Sequence, residues 1–169
     1  MAYGSWSGPS HLGTRPTHFC AWCKMQMGWI NPINVTENQD DAEIPNVEDN
    51  DKVYRLWTGG ALGDEYFLVV NRRKKGFDEY IPGQGLLIWH IDESITNNND
   101  ESHKMVDLEE AHGGRQHLDV YKDTATSNII DTNNGDANDP YYSNWEGFTD
   151  ATDPNSRSYD NNPTGLWVT

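Results

Sequence analysis

Leu86-Leu-Ile-Trp-His-Ile91 is the stretch on which the fold turns. Its apolar residues fall on both parities, so a strand built from it has no face to turn to water, and Tyr66-Phe-Leu-Val-Val70 has the same character. Such strands need cover on both sides. The link between them, Asn71 to Gly85, holds Arg72, Arg73, Lys74, Lys75 and the turn-forming Pro82-Gly83, and an antiparallel pair is the shortest topology it permits. Outward from this pair, Val53-Tyr-Arg-Leu-Trp57 alternates weakly and reads as a strand. Met105 to Ala111 adds another, with Val106 and Leu108 toward the core and Asp107 and Glu109 on the opposite side. Gly165-Leu-Trp-Val-Thr169 reads as a last, short strand.

Ahead of the strands, Phe19, Trp22, Cys23, Met27 and Ile30 recur at spacings of three and four behind Thr17 as N-cap, and Gly28 can end the turn. That stripe predicts a core helix. Met1 to Pro16 reads as an irregular Gly, Ser and Pro loop, Ile33 to Asp51 as an acidic connector, and Asn133 to Pro163 as a long polar loop with isolated aromatics. The expected class is α+β: one core helix near the N-terminus followed by a mainly antiparallel sheet with long polar loops. Residues 1–169 are read as a single unit, with loop and helix in 1–30 and the β-rich part in 31–169.

Composition limits the partners. Lys and Arg number 12 against 27 Asp and Glu, a formal net charge of −15, so a phosphate backbone would be repelled and no nucleic acid is expected. No window approaches 18 consecutive apolar residues, and Met1 is not followed by a basic stretch and an apolar run, so neither a membrane span nor a signal peptide is expected. Asn and Asp reach 17 each, and so many loop oxygens suit a hard cation, calcium first, as well as they suit a solvated acidic surface.

Among residues that carry chemistry, the six histidines include no HExxH, since His112 and His117 are five apart rather than four. Cys20 and Cys23 make a single CxxC with no second pair, which reads as packing before zinc or redox chemistry. His90 and Asp92 lie two apart on a strand, so the carboxylate can orient the imidazole, although a buried hydrogen-bonded His is the commoner use of that pattern. Asp92, Glu93, Asp107, Glu109, Glu110 and Asp119 are expected to collect where two neighbouring strands end, where a divalent cation would relieve their repulsion. Asp131 to Asp139 adds oxygens, Asp136 and Asp139 among them, but misses the EF-hand template because Gly135 is one place early and the distal Glu is lacking. The expected calcium ligands are Asp92, Glu93, Asp107, Glu109, Asp136 and Asp139.

Six stretches in order carry a resemblance: Met1-Ala-Tyr-Gly-Ser-Trp6, His18-Phe-Cys-Ala-Trp-Cys-Lys-Met-Gln-Met-Gly-Trp29, Tyr66-Phe-Leu-Val-Val-Asn-Arg72, Gly85-Leu-Leu-Ile-Trp-His-Ile-Asp-Glu93, Val106-Asp-Leu-Glu-Glu-Ala111 and Gly135-Asp-Ala-Asn-Asp-Pro140. Together they resemble the immune inhibitor A type of secreted bacterial zinc metallopeptidases, peptidase family M-six. The resemblance implies the C-terminal part of a zincin-like catalytic region, with Met1 in the turn beneath the zinc and Tyr3 placed to bind the metal or steady the oxyanion. It also implies a secreted protein acting on protein or peptide substrates. The helix bearing the zinc ligands and the general base would belong to a missing N-terminal half, so hydrolysis by this chain alone is not expected.

Two other classes fit parts of the sequence. A non-enzymatic, calcium-stabilised β-rich module would bind glycan or peptide through Tyr141, Tyr142 and Trp145. A serine hydrolase would use Ser94 with His90 and Asp92, but Ser94 lacks the Gly-x-Ser-x-Gly turn.

Overall fold

The computed structural model describes residues 7–9, 13–57, 62–112, 121–122, 129–131, 135–142 and 145–169. In chain order the elements are helix α1 (Ala21–Gln26) and strands β1 (Ile33–Asn34), β2 (Tyr54–Trp57), β3 (Glu65–Arg72), β4 (Gly85–Asp92), β5 (Val106–Glu109), β6 (Tyr121–Lys122), β7 (Ile129–Asp131), β8 (Phe148–Thr149) and β9 (Trp167–Val168). A short 3-10 turn, Gly76–Tyr80, lies in the β3–β4 link. The first five strands form one sheet in sequential order, antiparallel except for the two-residue β1 edge, while β6–β7 and β8–β9 are separate antiparallel pairs. The α+β class with a mainly antiparallel sheet is thus observed.

The two-parity reading of β3 and β4 explains the layers. Leu68, Val70, Leu87 and Ile91 point to one face, where they join Trp57, Tyr66, Ala21 and Ile30 under α1. Phe67, Val69 and Ile88 point to the other, where Tyr54, Tyr141 and Phe148 close over them. Leu68, Ile91, Phe67 and Ile88 are all fully buried. At about 2 kcal/mol for each such side chain, both faces contribute to stability, and neither the helix nor the C-terminal segment is dispensable cover.

The helix is shorter than the sequence predicts. Cys20, extended and buried, is its N-cap instead of Thr17, accepting at Sγ from the Cys23 N–H at 3.4 Å. Residues before Cys20 are off the helical wheel, so Phe19 is 46% exposed, and the helix buries Ala21 and Lys24 in place of the expected stripe. Its end follows expectation: Gly28 sits at φ +69° and the Trp29 N–H reaches back to the Lys24 carbonyl at 2.9 Å.

The basic cluster in the β3–β4 link is partly structural. Arg72 donates through Nε and Nη2 to Asp78 at 2.6 to 2.8 Å, and Asp78, fully buried, also accepts from the His18 N–H at 2.8 Å. The adjacent guanidinium holds the Asp78 carboxyl below the usual range against the opposing effect of burial. No helix among the described residues is long and apolar enough to cross a membrane.

Candidate functional site

Two histidine and carboxylate groups are built around β4 and β5, the first on the sheet face that Phe67 shares with Ile88. The first is centred on His90 of β4. In an antiparallel sheet the diagonal neighbours of a residue are two removed from its direct partner. His90 pairs directly with Phe67 and Asp107, so Glu65 of β3 and Glu109 of β5 take the diagonal positions. His90 Nε2 lies 2.8 Å from Glu65 Oε1 and Nδ1 lies 3.2 Å from Glu109 Oε1. Both ring nitrogens can donate only in the imidazolium form. The two carboxylates raise the His90 pKa above its ordinary value although burial works against the charge. Phe67 and Tyr159 each lie with ring centroids 4.2 Å from that of His90, and His103 stacks on Tyr159 at 4.1 Å, a column of four rings. Glu65 Oε1 also accepts from the Tyr159 N–H at 2.7 Å, which fixes the C-terminal segment to β3.

The second group consists of Glu110, His112 and Asp139, whose facing atoms lie within 4.8 Å of one another. Glu110 and His112 follow β5. Asp139 arrives on a loop held at three points: the Ala111 N–H donates to the Asp139 carbonyl at 2.9 Å, and Leu86 and Tyr141 exchange two backbone bonds of 2.8 Å. Close approach at Gly85 makes this possible. A Cβ there would lie 2.3 Å from the Tyr141 carbonyl oxygen, and the residue adopts φ +151°. Glu110 is fully buried and Asp139 is 4% exposed. Asp139 Oδ2 accepts from the Asp136 N–H at 2.6 Å, whereas Oδ1, also buried, has no partner in hydrogen-bond geometry. His112 Nε2 is 3.3 Å from that Oδ1 and 3.8 Å from Glu110 Oε2. Burial pushes the Asp139 carboxyl above its usual pKa.

On the other face, a cavity of about 580 Å³ opens beside the helix, lined by Pro16 to Phe19, Lys24, Trp29, Ile30 and Phe77 among others. Lys24 is buried and has no hydrogen bond or ion pair to its amine among the described residues, and burial lowers its pKa. Cys20 and Cys23 are both unbridged, and burial with the neighbouring Cys20 pushes the Cys23 thiol up to about 11. A thiol so protonated is a poor nucleophile at neutral pH.

The acidic residues expected at one strand end are separated by the antiparallel register. Asp92, at the end of β4, meets the start of β5, with its N–H on the Met105 carbonyl, while Glu109 and Glu110 lie at the other end of that ladder. Asp92 accepts from the Ser94 N–H and pairs with His103 Nε2 at 2.7 Å. It does not orient His90, so the grouping of His90, Asp92 and Ser94 does not form. Glu93 turns to the helix face and accepts from Trp22 Nε1 and Gln26 Nε2. Asp107 faces Lys104, Asp136 caps its own turn at the Asn138 N–H, and of the six expected calcium ligands only Asp139 joins the second group.

Met1, Tyr3, His11, His117 and Asp119 lie outside the described residues. The sequence holds no HExxH, so the two histidine ligands and the general base that such a motif supplies are not among its residues. The sequence reading missed Glu65, Tyr159 and His103. Strand register could have placed Glu65, while nothing local marks Tyr159. Comparison with family models, curated proteins and solved structures returns no match to this chain.

Proposed function

We propose that this chain is the supporting, C-terminal part of a secreted zinc endopeptidase's catalytic region, resembling the immune inhibitor A type, and that it contributes a wall of the cleft without the zinc-binding helix. The observation that supports this reading is the open concavity beside the helix. Residues 16–19, which continue the N-terminal loop that the resemblance puts under the zinc, line a largely apolar hollow large enough for a peptide side chain and its neighbours. The stretches that carry the resemblance also meet in space: Glu93 at the end of one ties to Trp22 and Gln26 of another, and the Val106 to Ala111 stretch reaches Asp139 of a third.

The coding sequence ahead of Met1 and a fluorogenic peptide assay test the proposal together. The 169-residue chain alone should not hydrolyse peptide, and a product that includes an upstream HExxH helix should do so with sensitivity to a zinc chelator. An upstream sequence without that helix, or chelator-insensitive hydrolysis, overturns the reading. The module reading gains less support. Tyr141 is buried against Trp145 and Phe148 as part of the core, leaving Tyr142, 52% exposed, without a coplanar neighbour from that set.

A further inference from the structure

We propose that Glu110, His112 and Asp139 form a site for a first-row divalent cation of the zinc class. The inference stands apart from the peptidase reading and survives its failure. Three features of the group carry it. Both carboxylates face the same ring nitrogen: Nε2 of His112 is 3.3 Å from Asp139 Oδ1 and 3.8 Å from Glu110 Oε2. Ligands bound at about 2.0–2.2 Å around a tetrahedral ion sit roughly 3.4 Å from one another, so these separations match the edges of a coordination sphere.

The second feature is the Asp139 Oδ1 atom, buried and without a hydrogen bond, although it faces the other two ligand atoms. Oδ2 of the same carboxylate is already engaged by the Asp136 N–H, so its orientation is fixed by the loop and not by a ligand. A buried carboxylate oxygen held in place with no well-formed hydrogen bond, only the His112 nitrogen at 3.3 Å, is costly unless a cation completes it. Third, two carboxylates and a divalent ion sum to zero charge, which answers the burial of Glu110 and Asp139 together.

The donor set selects the ion. An imidazole nitrogen beside two carboxylate oxygens suits zinc or its neighbours, whereas calcium requires six to eight oxygens. The expectation of calcium from loop composition is therefore replaced at this place by a borderline ion. The ligands come from two stretches well apart in sequence, so ion binding would clamp the end of β5 to the 135–141 loop, which backbone bonds from Tyr141 already tie to Leu86.

Titration calorimetry of the 169-residue protein with ZnCl₂, and separately with CaCl₂, tests the proposal, together with the visible spectrum after loading with Co²⁺. One equivalent of Zn²⁺ should bind, calcium at the same concentration should not compete, and Co²⁺ should show the d–d bands of nitrogen and oxygen ligation. His112→Ala removes a partly exposed ligand and should weaken Zn²⁺ binding at least tenfold with the circular dichroism spectrum unchanged. Asp139→Asn should do the same. His103→Ala, at the other histidine group, should leave the affinity as it was. Zinc binding undiminished by His112→Ala, no binding at 100-fold excess, or a preference for calcium would each overturn the assignment.

Discussion

His90 and His112 each lie close to two carboxylates, yet they are different chemical objects. His90 uses both ring nitrogens, one per carboxylate, and two aromatic rings cover its faces. Both of its ring nitrogens are bonded. His112 turns one nitrogen toward two carboxylates, 3.3 Å from Asp139 Oδ1 and 3.8 Å from Glu110 Oε2, and that buried Oδ1 accepts no well-formed hydrogen bond. The same residue types make a closed structural pair in one place and a convergent donor set in the other, and geometry alone separates the two.

Arg72→Met sets the scale for a closed pair and should have the largest effect. It strands the fully buried Asp78 carboxylate and should cost about 4 kcal/mol in urea unfolding. A loss below about 1 kcal/mol would mean that completed buried pairs in this fold hold little. Gly85→Ala comes next at about 3 kcal/mol, because the added Cβ collides with the Tyr141 carbonyl and forces the loop carrying Asp139 to move. Wild-type zinc affinity in that variant would break the link drawn between loop placement and the donor set.

His90→Gln then sharpens the contrast directly. It leaves Glu65 and Glu109 sharing a neutral partner and should cost about 2 kcal/mol, against less than about 0.5 kcal/mol for His112→Ala without metal. Equal losses would erase the distinction. The pH dependence follows from the raised His90 pKa. The stability it adds is fully present below the ordinary value of 6.5 and is lost as pH rises through the higher folded value, so thermal scans from pH 6 to 9 should show a decline that His90→Gln flattens. The smallest effect is chemical: Cys23, pushed up to about 11, should resist a thiol reagent at pH 8 until the protein unfolds.

Much of the fold was legible because the signals were local. Apolar runs of both parities named β3 and β4 to within one or two residues and required two covers, and Gly28 marked the helix end. The helix start differs from expectation because Thr17 and Cys20 can both cap, and Cys20, extended and buried, is the one that does. The sites were less legible. The carboxylates expected to collect at one strand end are dispersed, because an antiparallel register sends Asp92 and Glu110 to opposite ends of one ladder, which composition does not encode. Asp139 was singled out from its loop, yet its meeting with His112 depends on the close approach at Gly85, some 54 positions away in the chain. Tyr159 reaches His90 through a backbone bond to Glu65, 94 residues apart, and no periodicity announces that.

The contrast between the two histidines is tested most directly by long-range ¹H–¹⁵N spectra of the imidazole nitrogens at pH 6.5, before and after one equivalent of Zn²⁺. The account predicts that His90 shows two protonated ring nitrogens that zinc leaves unchanged, while the Nε2 resonance of His112 moves to the position of a metal-bound nitrogen. A neutral tautomer at His90, or a His112 spectrum that zinc does not alter, would contradict it.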